Sequence, residues 1–415
     1  MSAATTPSVP TSAPPHRASR ASWPAVVTVM LGIFSIVTTE ILPIGLLTSI
    51  GASFTVSDGR AGLMMTMPGF LAAVSAPLVT VACRRVDRRA VLAALVLLLA
   101  LADFLAAAAP SYWLVLVSRV LVGVTIGGFW SVGAGIADRL VPAGSVGRAT
   151  AVIFSAVPLG SVLGVPLGTF IGDVAGWRTA FLVMGGFTLA VLALLLLVVP
   201  PLPSRRAAGP DHLRGMLRGV HTRFALAMTF LVVLAHFGTY TYVTPFLEQV
   251  THMSPGLVTA CLLLYGAAGI AGTFLGGSAV GRFPRAAFAA AAALIAAATL
   301  LLPVLGRSDA GAVALLVVWG VGYGAVPVCS QTWFAKASPG SPEASSVLFT
   351  ASFQATLSLG ALAGGAVLDR SSPSTVMALG GLTALLLVLV AGAHLATGRP
   401  WPAAAQRTGE ALRDG

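Results

Sequence analysis

The sequence predicts an all-α integral membrane protein of twelve transmembrane helices, arranged as two pseudo-symmetric six-helix bundles. Three observations predict it. The 415 residues are 57% hydrophobic and only 9% charged, where a soluble domain carries about 25% charged residues. The apolar residues come in runs of about 20, the length that crosses the hydrocarbon of a bilayer as a helix. The second half of the chain also echoes the first.

Residues 1–22 are rich in Pro, Ser, Thr and Ala, with Arg17 and Arg20, and read as a disordered cytoplasmic tail. The apolar run that follows is too long for the core of a signal peptide and reads as an uncleaved first span. Candidate helices run at 25–48, 61–82, 90–109, 112–136, 149–171 and 177–199, then at 223–246, 257–281, 285–305, 311–334, 345–368 and 375–396. Residues 23–200 are expected to form the N-terminal bundle and 223–397 the C-terminal bundle. Between them lies a polar cytoplasmic linker, 201–222, and residues 398–415 form a cytoplasmic tail.

The formal charge is +11, and its distribution decides what it means. Links holding Arg84, Arg85, Arg88, Arg89, Arg139, Arg148, Arg205, Arg206, Arg214, Arg218, Arg223, Arg282, Arg285 and Lys336 alternate with links holding Arg60, Arg178, Arg307 and Arg370. The positive-inside rule places the first set, and both termini, on the cytoplasmic side of the cell's inner (plasma) membrane. The expected partner of this charge is the anionic inner leaflet, not nucleic acid. Cys83, Cys261 and Cys329 stand far apart and read as small apolar core residues. No HExxH, GxSxG, paired cysteines or phosphate-binding glycine loop is present, so neither an enzyme, a metal site nor a cofactor is expected.

The internal echo has an offset near 195–202 residues. "TTEILPIGLL" in the first span answers "TYTYVTPFLE" in the seventh, with Pro43 opposite Pro245; "RRVDRRA" answers "GRFPRAA"; "ATAVIFSA" answers "ASSVLFTA". Such repetition is the signature of a duplicated transporter with a central cavity.

Three charges fall well inside the spans: Glu40, Asp103 and Arg119. At about 1.5 Å per residue all three land at one depth, roughly 9–12 Å below the outer boundary. A charge there needs a partner or a hydrated cavity. A buried carboxylate beside a guanidinium switches protonation when pairing or hydration changes, which a proton-coupled carrier requires. Glu40 or Asp103 is expected to hold the proton, with Arg119 supplying the competing ion pair; a static pair that fixes packing is the alternative. His236, midway along the seventh span, is a candidate proton relay, or else a neutral histidine bonded to a neighbouring helix. Glu248, at the outer end of that span, is expected to be solvated.

Gly160, Gly164 and Gly168 recur every four residues, which lets a neighbouring helix approach closely. With Pro166 they suggest a hinge. Arg84, Arg85, Asp87, Arg88 and Arg89 form a candidate cytoplasmic gate, with lipid-facing topogenic charges as the alternative. For a substrate pocket with apolar walls and a few hydrogen-bonding groups, the candidates at middle depth are Phe129, Trp130, Tyr240, Tyr242, Gln331, Trp333, Phe353 and Gln354.

The segments "TTEILPIGLLTSIG", "APSYWLVLVSRVLVGVTIGGFWSVGAGIADRLVP", "GSVLGVPLGTFIGDVAGWRTAF" and "AHFGTYTYVTPFLEQV" resemble the major facilitator superfamily, in particular its twelve-helix drug:proton antiporter branch and the bacterial sugar or arabinose efflux permease-like members. Arg119 with Gly123 and Gly127 is similar to the fourth-helix motif of that group, which implies a role in proton transfer. Gly160, Gly164, Pro166 and Gly168 are similar to its fifth-helix antiporter motif, relaxed here to Gly164-Val165-Pro166, which implies export. In the link after the second span, Arg84 stands at the motif's aspartate and Asp87 at its inner glycine, leaving Arg88 and Arg89 as the matching basic pair.

The resulting expectation is a proton-coupled exporter of small organic molecules (drug, sugar or metabolite), acting as a monomer by alternating access. The alternatives are a proton-independent facilitator or importer of sugars or amino acids, and a non-transporting membrane sensor.

Overall fold

The structure, a computed structural model, describes residues 23–83, 85–133, 136–203, 220–280, 282–337 and 342–396. The expected tails, most of the linker and Arg84 lie outside the described residues. The long helices are α1 Trp23–Phe54, α2 Leu63–Ala82, α3 Arg88–Ala107, α4 Tyr112–Gly133, α5 Val146–Ala175, α6 Trp177–Val198, α7 Val220–Tyr240, α8 Pro255–Val280, α9 Pro284–Leu305, α10 Asp309–Ala337, α11 Pro342–Leu368 and α12 Pro373–Ala396. Among the described residues, eleven helical segments are long and apolar enough to cross a membrane. The twelfth long helix, α2, has 20 residues and no charged side chain. Helices are the natural outcome for such runs, because hydrocarbon offers backbone groups no partner but each other.

Chain signals set the helix ends. The Asp87 carboxylate accepts the Arg89 backbone N–H at 2.8 Å and starts α3. Pro284 opens α9, where its missing N–H is harmless. Gly176 turns the chain between α5 and α6 at φ +84°, a backbone that favours glycine.

One expected span is corrected. The seventh does not run unbroken through residue 246: α7 stops at Tyr240, and a short helix, Val243–Gln249, follows a turn. Pro245 is the physical reason, since it has no N–H to give the Thr241 carbonyl. Its counterpart Pro43 stays inside an unbroken α1.

Packing repeats with the sequence echo. In the first half α1 lies on α5, α2 on α4 and α3 on α6; in the second, α7 lies on α11, α8 on α10 and α9 on α12. Each half has its own apolar core, with Ile33, Leu92, Leu99, Ile126 and Phe129 in the first and Val232, Ile295, Trp319, Trp333 and Met377 in the second. The halves meet along two matching seams, α2 on α11 and α8 on α5. Glycines allow the approach: a Cβ on Gly69 would lie 2.4 Å from the Gln354 carbonyl oxygen, and one on Gly266 would lie 2.9 Å from the Val162 Cα.

The face carrying Arg60, Arg178, Arg307 and Arg370 is closed by hydrogen bonds between the halves. The Gly59 N–H donates to Asp369 Oδ1 at 3.1 Å, Gln249 Nε2 to Asp58 Oδ2 at 2.8 Å, Thr244 Oγ1 to the Ile44 carbonyl at 2.9 Å and Thr48 Oγ1 to Glu248 Oε1 at 3.3 Å. Glu248 is thus half-buried in this closure instead of solvated, because the break in α7 turns its short helix against α1. Burial lifts the Asp58 carboxyl above its ordinary value of 3.8; the Gln249 amide opposes the rise and the Asp369 charge adds to it.

Candidate functional site

Arg119 is fully buried midway along α4. Its Nε donates to the Met64 carbonyl at 3.1 Å, Nη1 to the Thr39 carbonyl at 3.0 Å and Nη2 to the Glu40 carbonyl at 2.9 Å. Two of these acceptors are free for a reason written in the chain. Pro68 follows Met64 by four residues and Pro43 follows Thr39 by four, and neither can donate the helical N–H that those carbonyls would ordinarily accept. The prolines build a carbonyl socket for a guanidinium, whose fixed fork of donors can reach three acceptors at once. Charge-assisted bonds of this kind contribute about 1.5–3 kcal/mol each.

The expected ion pair between Arg119 and a carboxylate is therefore corrected. The guanidinium bonds to main chain, and each acid finds a neutral partner. Asp103, 1% exposed on α3, accepts the Thr39 hydroxyl at Oδ2 from 3.1 Å, while its Oδ1 has no partner among the described residues. Glu40, 8% exposed on α1, accepts Gln354 Nε2 of α11 at Oε1 from 2.7 Å. Adjacent residues thus face two ways: Thr39 binds Asp103 within the first half, and Glu40 reaches the second.

His236 lies in an aromatic column of the second half. The Tyr323 ring stacks on it at 3.4 Å between centroids and 4° between planes, Tyr240 at 5.1 Å, and Tyr265 stacks on Tyr240 at 4.5 Å. Trp319 Nε1 donates to His236 Nδ1 at 3.1 Å, which makes Nε2 the protonated nitrogen of a neutral ring. A proton on Nδ1 would break that bond, so this geometry holds a neutral histidine. Nε2 and the Tyr265 hydroxyl are buried and lack partners among the described residues; an unpaired buried group of this kind costs about 1–3 kcal/mol.

Residues 29–353 match the family model of the Major Facilitator Superfamily. This chain belongs to the major facilitator superfamily. It is 33% identical over 354 residues to the transcription regulatory protein OpdE of Pseudomonas aeruginosa, covering 84% of this chain and 88% of that protein. It is 30% identical over 379 residues to the purine ribonucleoside efflux pump NepI of Salmonella paratyphi A, covering 91% and 95%. A bacterial homologue of the human lysosomal transporter Spinster, solved inward-facing and unoccupied, matches the fold at a TM-score of 0.71 with 18% identity, covering 91% of this chain and 98% of that one. The human organic anion transporter MFSD10 matches at 0.65 with 18% identity, covering 90% and 100%. The protein is thus a multi-pass membrane transport protein of a family that moves solutes rather than transforming them.

The other expected site residues fall into separate places. Gln354 binds Glu40, Phe353 meets Phe237 edge-on at 5.9 Å, and Tyr240 stacks on His236 in the column. Tyr242 sits in the closed face, its hydroxyl donating to the Ala361 carbonyl at 2.6 Å and its ring filling the space beside Gly62. Phe129 packs against Gly32, and Trp130 against Phe154 at 5.8 Å. Trp333 stacks between Phe224 and Phe288 and donates to the Pro284 carbonyl, and Gln331 is exposed.

The ladder Gly160, Gly164, Gly168 faces α1, where added Cβ atoms would meet Val37, Ile41 and Leu42 at 2.8–2.9 Å. Pro166 lies inside an unbroken α5, so here the ladder seats one helix on another. In the basic link, Arg89 Nη2 donates to the Leu196 carbonyl and the Arg88 N–H to Leu202, both within the first half; Arg85 is exposed and Asp87 caps α3. Sequence reading missed Pro43, Pro68 and Thr39 as builders of the site, and Trp319, Tyr323 and Tyr265 as its aromatic wall. The available signals were a proline four residues after each socket carbonyl, and aromatic rings spaced by four in α10 as in α7.

Proposed function

We propose that this protein is a proton-driven exporter of small organic molecules, of the drug:proton antiporter branch. It works as a monomer in the bacterial inner membrane with both termini, and the basic links, on the cytoplasmic side against the anionic leaflet. The observation that carries the reading is the double attachment of Glu40: its carbonyl to Arg119 of the first half and its carboxylate to Gln354 of the second. A bond to an ionised acceptor is roughly twice as strong as a neutral one, so the charge on Glu40 sets how firmly the halves hold together. The efflux name of the Salmonella relative supports the direction.

The cycle follows from that bond. With the arginine-poor face open to the outside, a proton reaches Glu40 and substrate leaves. The protonated protein closes that face and releases its proton to the cytoplasm, and the carboxylate then grips Gln354. Substrate entering from the cytoplasm takes Gln354 away from Glu40 and frees the return. The empty, deprotonated protein stays locked, which prevents futile leakage. Asp103, bonded to Thr39 beside the same guanidinium, holds Thr39 and Arg119 in register.

The test uses inside-out vesicles with an imposed proton gradient, a compound panel, and the unaltered protein beside Glu40→Gln. Compound-dependent proton movement in the unaltered protein and none in the variant is expected. Transport that ignores both the gradient and the change at Glu40 would replace this reading with a facilitator.

A further inference from the structure

The aromatic rings of the second half form a continuous wall. The column Tyr265, Tyr240, His236 ends at Tyr323, the one member of it that is not fully buried. From Tyr323 the wall continues edge-on through Phe237 at 5.9 Å to Phe353 at 5.9 Å, and Phe353 precedes the Gln354 that binds Glu40. Glu40, on the first half, is joined to this end of the wall through Gln354, the neighbour of Phe353. The open end of the column therefore faces the space between the halves, beside the carboxylate–amide pair.

Two features separate this wall from ordinary packing. Aromatic pairs prefer offset-stacked or edge-on arrangements over full face-to-face overlap, yet Tyr323 lies flat on a neutral imidazole with centroids only 3.4 Å apart and 4° between planes. The column also carries polar capacity it does not use internally, at His236 Nε2 and the Tyr265 hydroxyl. A stack held flat by Trp319, ending in a partly exposed ring, presents a platform for another flat ring. Among the described residues no cation lies in the column itself, and the Glu40 carboxylate at its open end disfavours an anion, while the ring edge meets an amide and a carboxyl.

We propose that Tyr323 is the stacking platform for an uncharged, flat heteroaromatic ring, whose edge groups bind Gln354 and Glu40. This rests on the reading of the space between the halves as the transport path, and it names the substrate class as neutral heteroaromatics in place of saturated sugars or anions. Tyr323 is then the specificity-determining residue, and the neutral tautomer of His236 supports it from behind.

The experiment measures equilibrium binding to purified protein in nanodiscs at neutral pH, without a gradient, using labelled quinazolin-4-one as the flat neutral probe and a labelled hexose as the saturated one. The unaltered protein is expected to bind the flat probe at least ten-fold more tightly than the hexose. Tyr323→Phe keeps the ring and is expected to bind within about three-fold of the unaltered protein; Tyr323→Leu is expected to lose about ten-fold or more, in line with removal of one stacking ring. Equal affinity of Tyr323→Leu, or an equal loss in Tyr323→Phe and Tyr323→Leu, overturns the proposal. If Tyr323→Leu does not fold, the preference of the unaltered protein decides: hexose bound and the flat probe ignored overturns it too. Ring binding that persists while proton-coupled movement is absent refutes export and leaves this proposal standing; proton-coupled hexose movement without ring binding does the reverse.

Discussion

Gly69 on α2 is where a single methyl group tests alternating access. In the closed-face conformation an added Cβ would lie 2.1 Å from Ser358 Oγ and 2.4 Å from the Gln354 carbonyl oxygen, both on α11 of the other half. The Ser358 hydroxyl can rotate, but a main-chain carbonyl cannot. Ordinary contact begins near 3.4 Å, so α11 must retreat by about 1 Å. Gln354 would move with it, and its 2.7 Å bond to Glu40 would open toward non-bonding distance. Overpacking of this kind costs about 1–3 kcal/mol, and it falls only on the conformation in which α2 and α11 touch. A penalty of that size moves the balance between conformations by about 5–150-fold. Gly69→Ala is therefore expected to fold and insert normally, to hold the arginine-poor face open and to slow transport by at least five-fold. Labelling of a cysteine introduced at the closed face reads the shift directly. Gly186→Ala is the control, since nothing lies within 4 Å of an added Cβ there. If Gly69→Ala labels and transports like Gly186→Ala, the α2–α11 contact does not govern the closed state.

Two further outcomes follow. Arg119→Lys replaces a three-pronged donor with a compact ammonium that cannot span the Met64, Thr39 and Glu40 carbonyls together; leaving one unpaired costs about 1–3 kcal/mol, so the variant is expected to unfold at lower temperature in detergent and to transport poorly, and unchanged stability would refute the socket. Asp58→Asn tests pH: burial raises the Asp58 carboxyl above 3.8 in the closed face, so its contribution to closure is present in acid and is lost as pH rises through the raised value, opposite in sign to the grip of ionised Glu40 on Gln354. Asparagine keeps an oxygen for Gln249 without the charge, so cysteine labelling at the closed face should lose its rise with pH, and a rise as large as in the unaltered protein would exclude Asp58 as the titrating group.

The sequence carried the architecture because the bilayer leaves few options: apolar runs of this length become helices, their number and echo make two six-helix halves, and charge inside them marks a site. It also brought Glu40, Asp103 and Arg119 to one depth, and they do gather. Depth alone misled on pairing, because the most economical guess for a buried arginine is an acid. The chain had already supplied a different answer in Pro43 and Pro68. Each removes one helical N–H, and each freed carbonyl points to the same guanidinium from a different helix. Such a site is invisible to counting charges, since none of its acceptors is a charged group, but it is visible to counting donors: a proline inside a membrane helix leaves a carbonyl four residues back that hydrocarbon cannot satisfy. The consequence is functional. An arginine held by main chain keeps its place whether or not the acids carry protons, so in the proposed cycle the proton acts on the contact between Glu40 and Gln354, where the two halves meet.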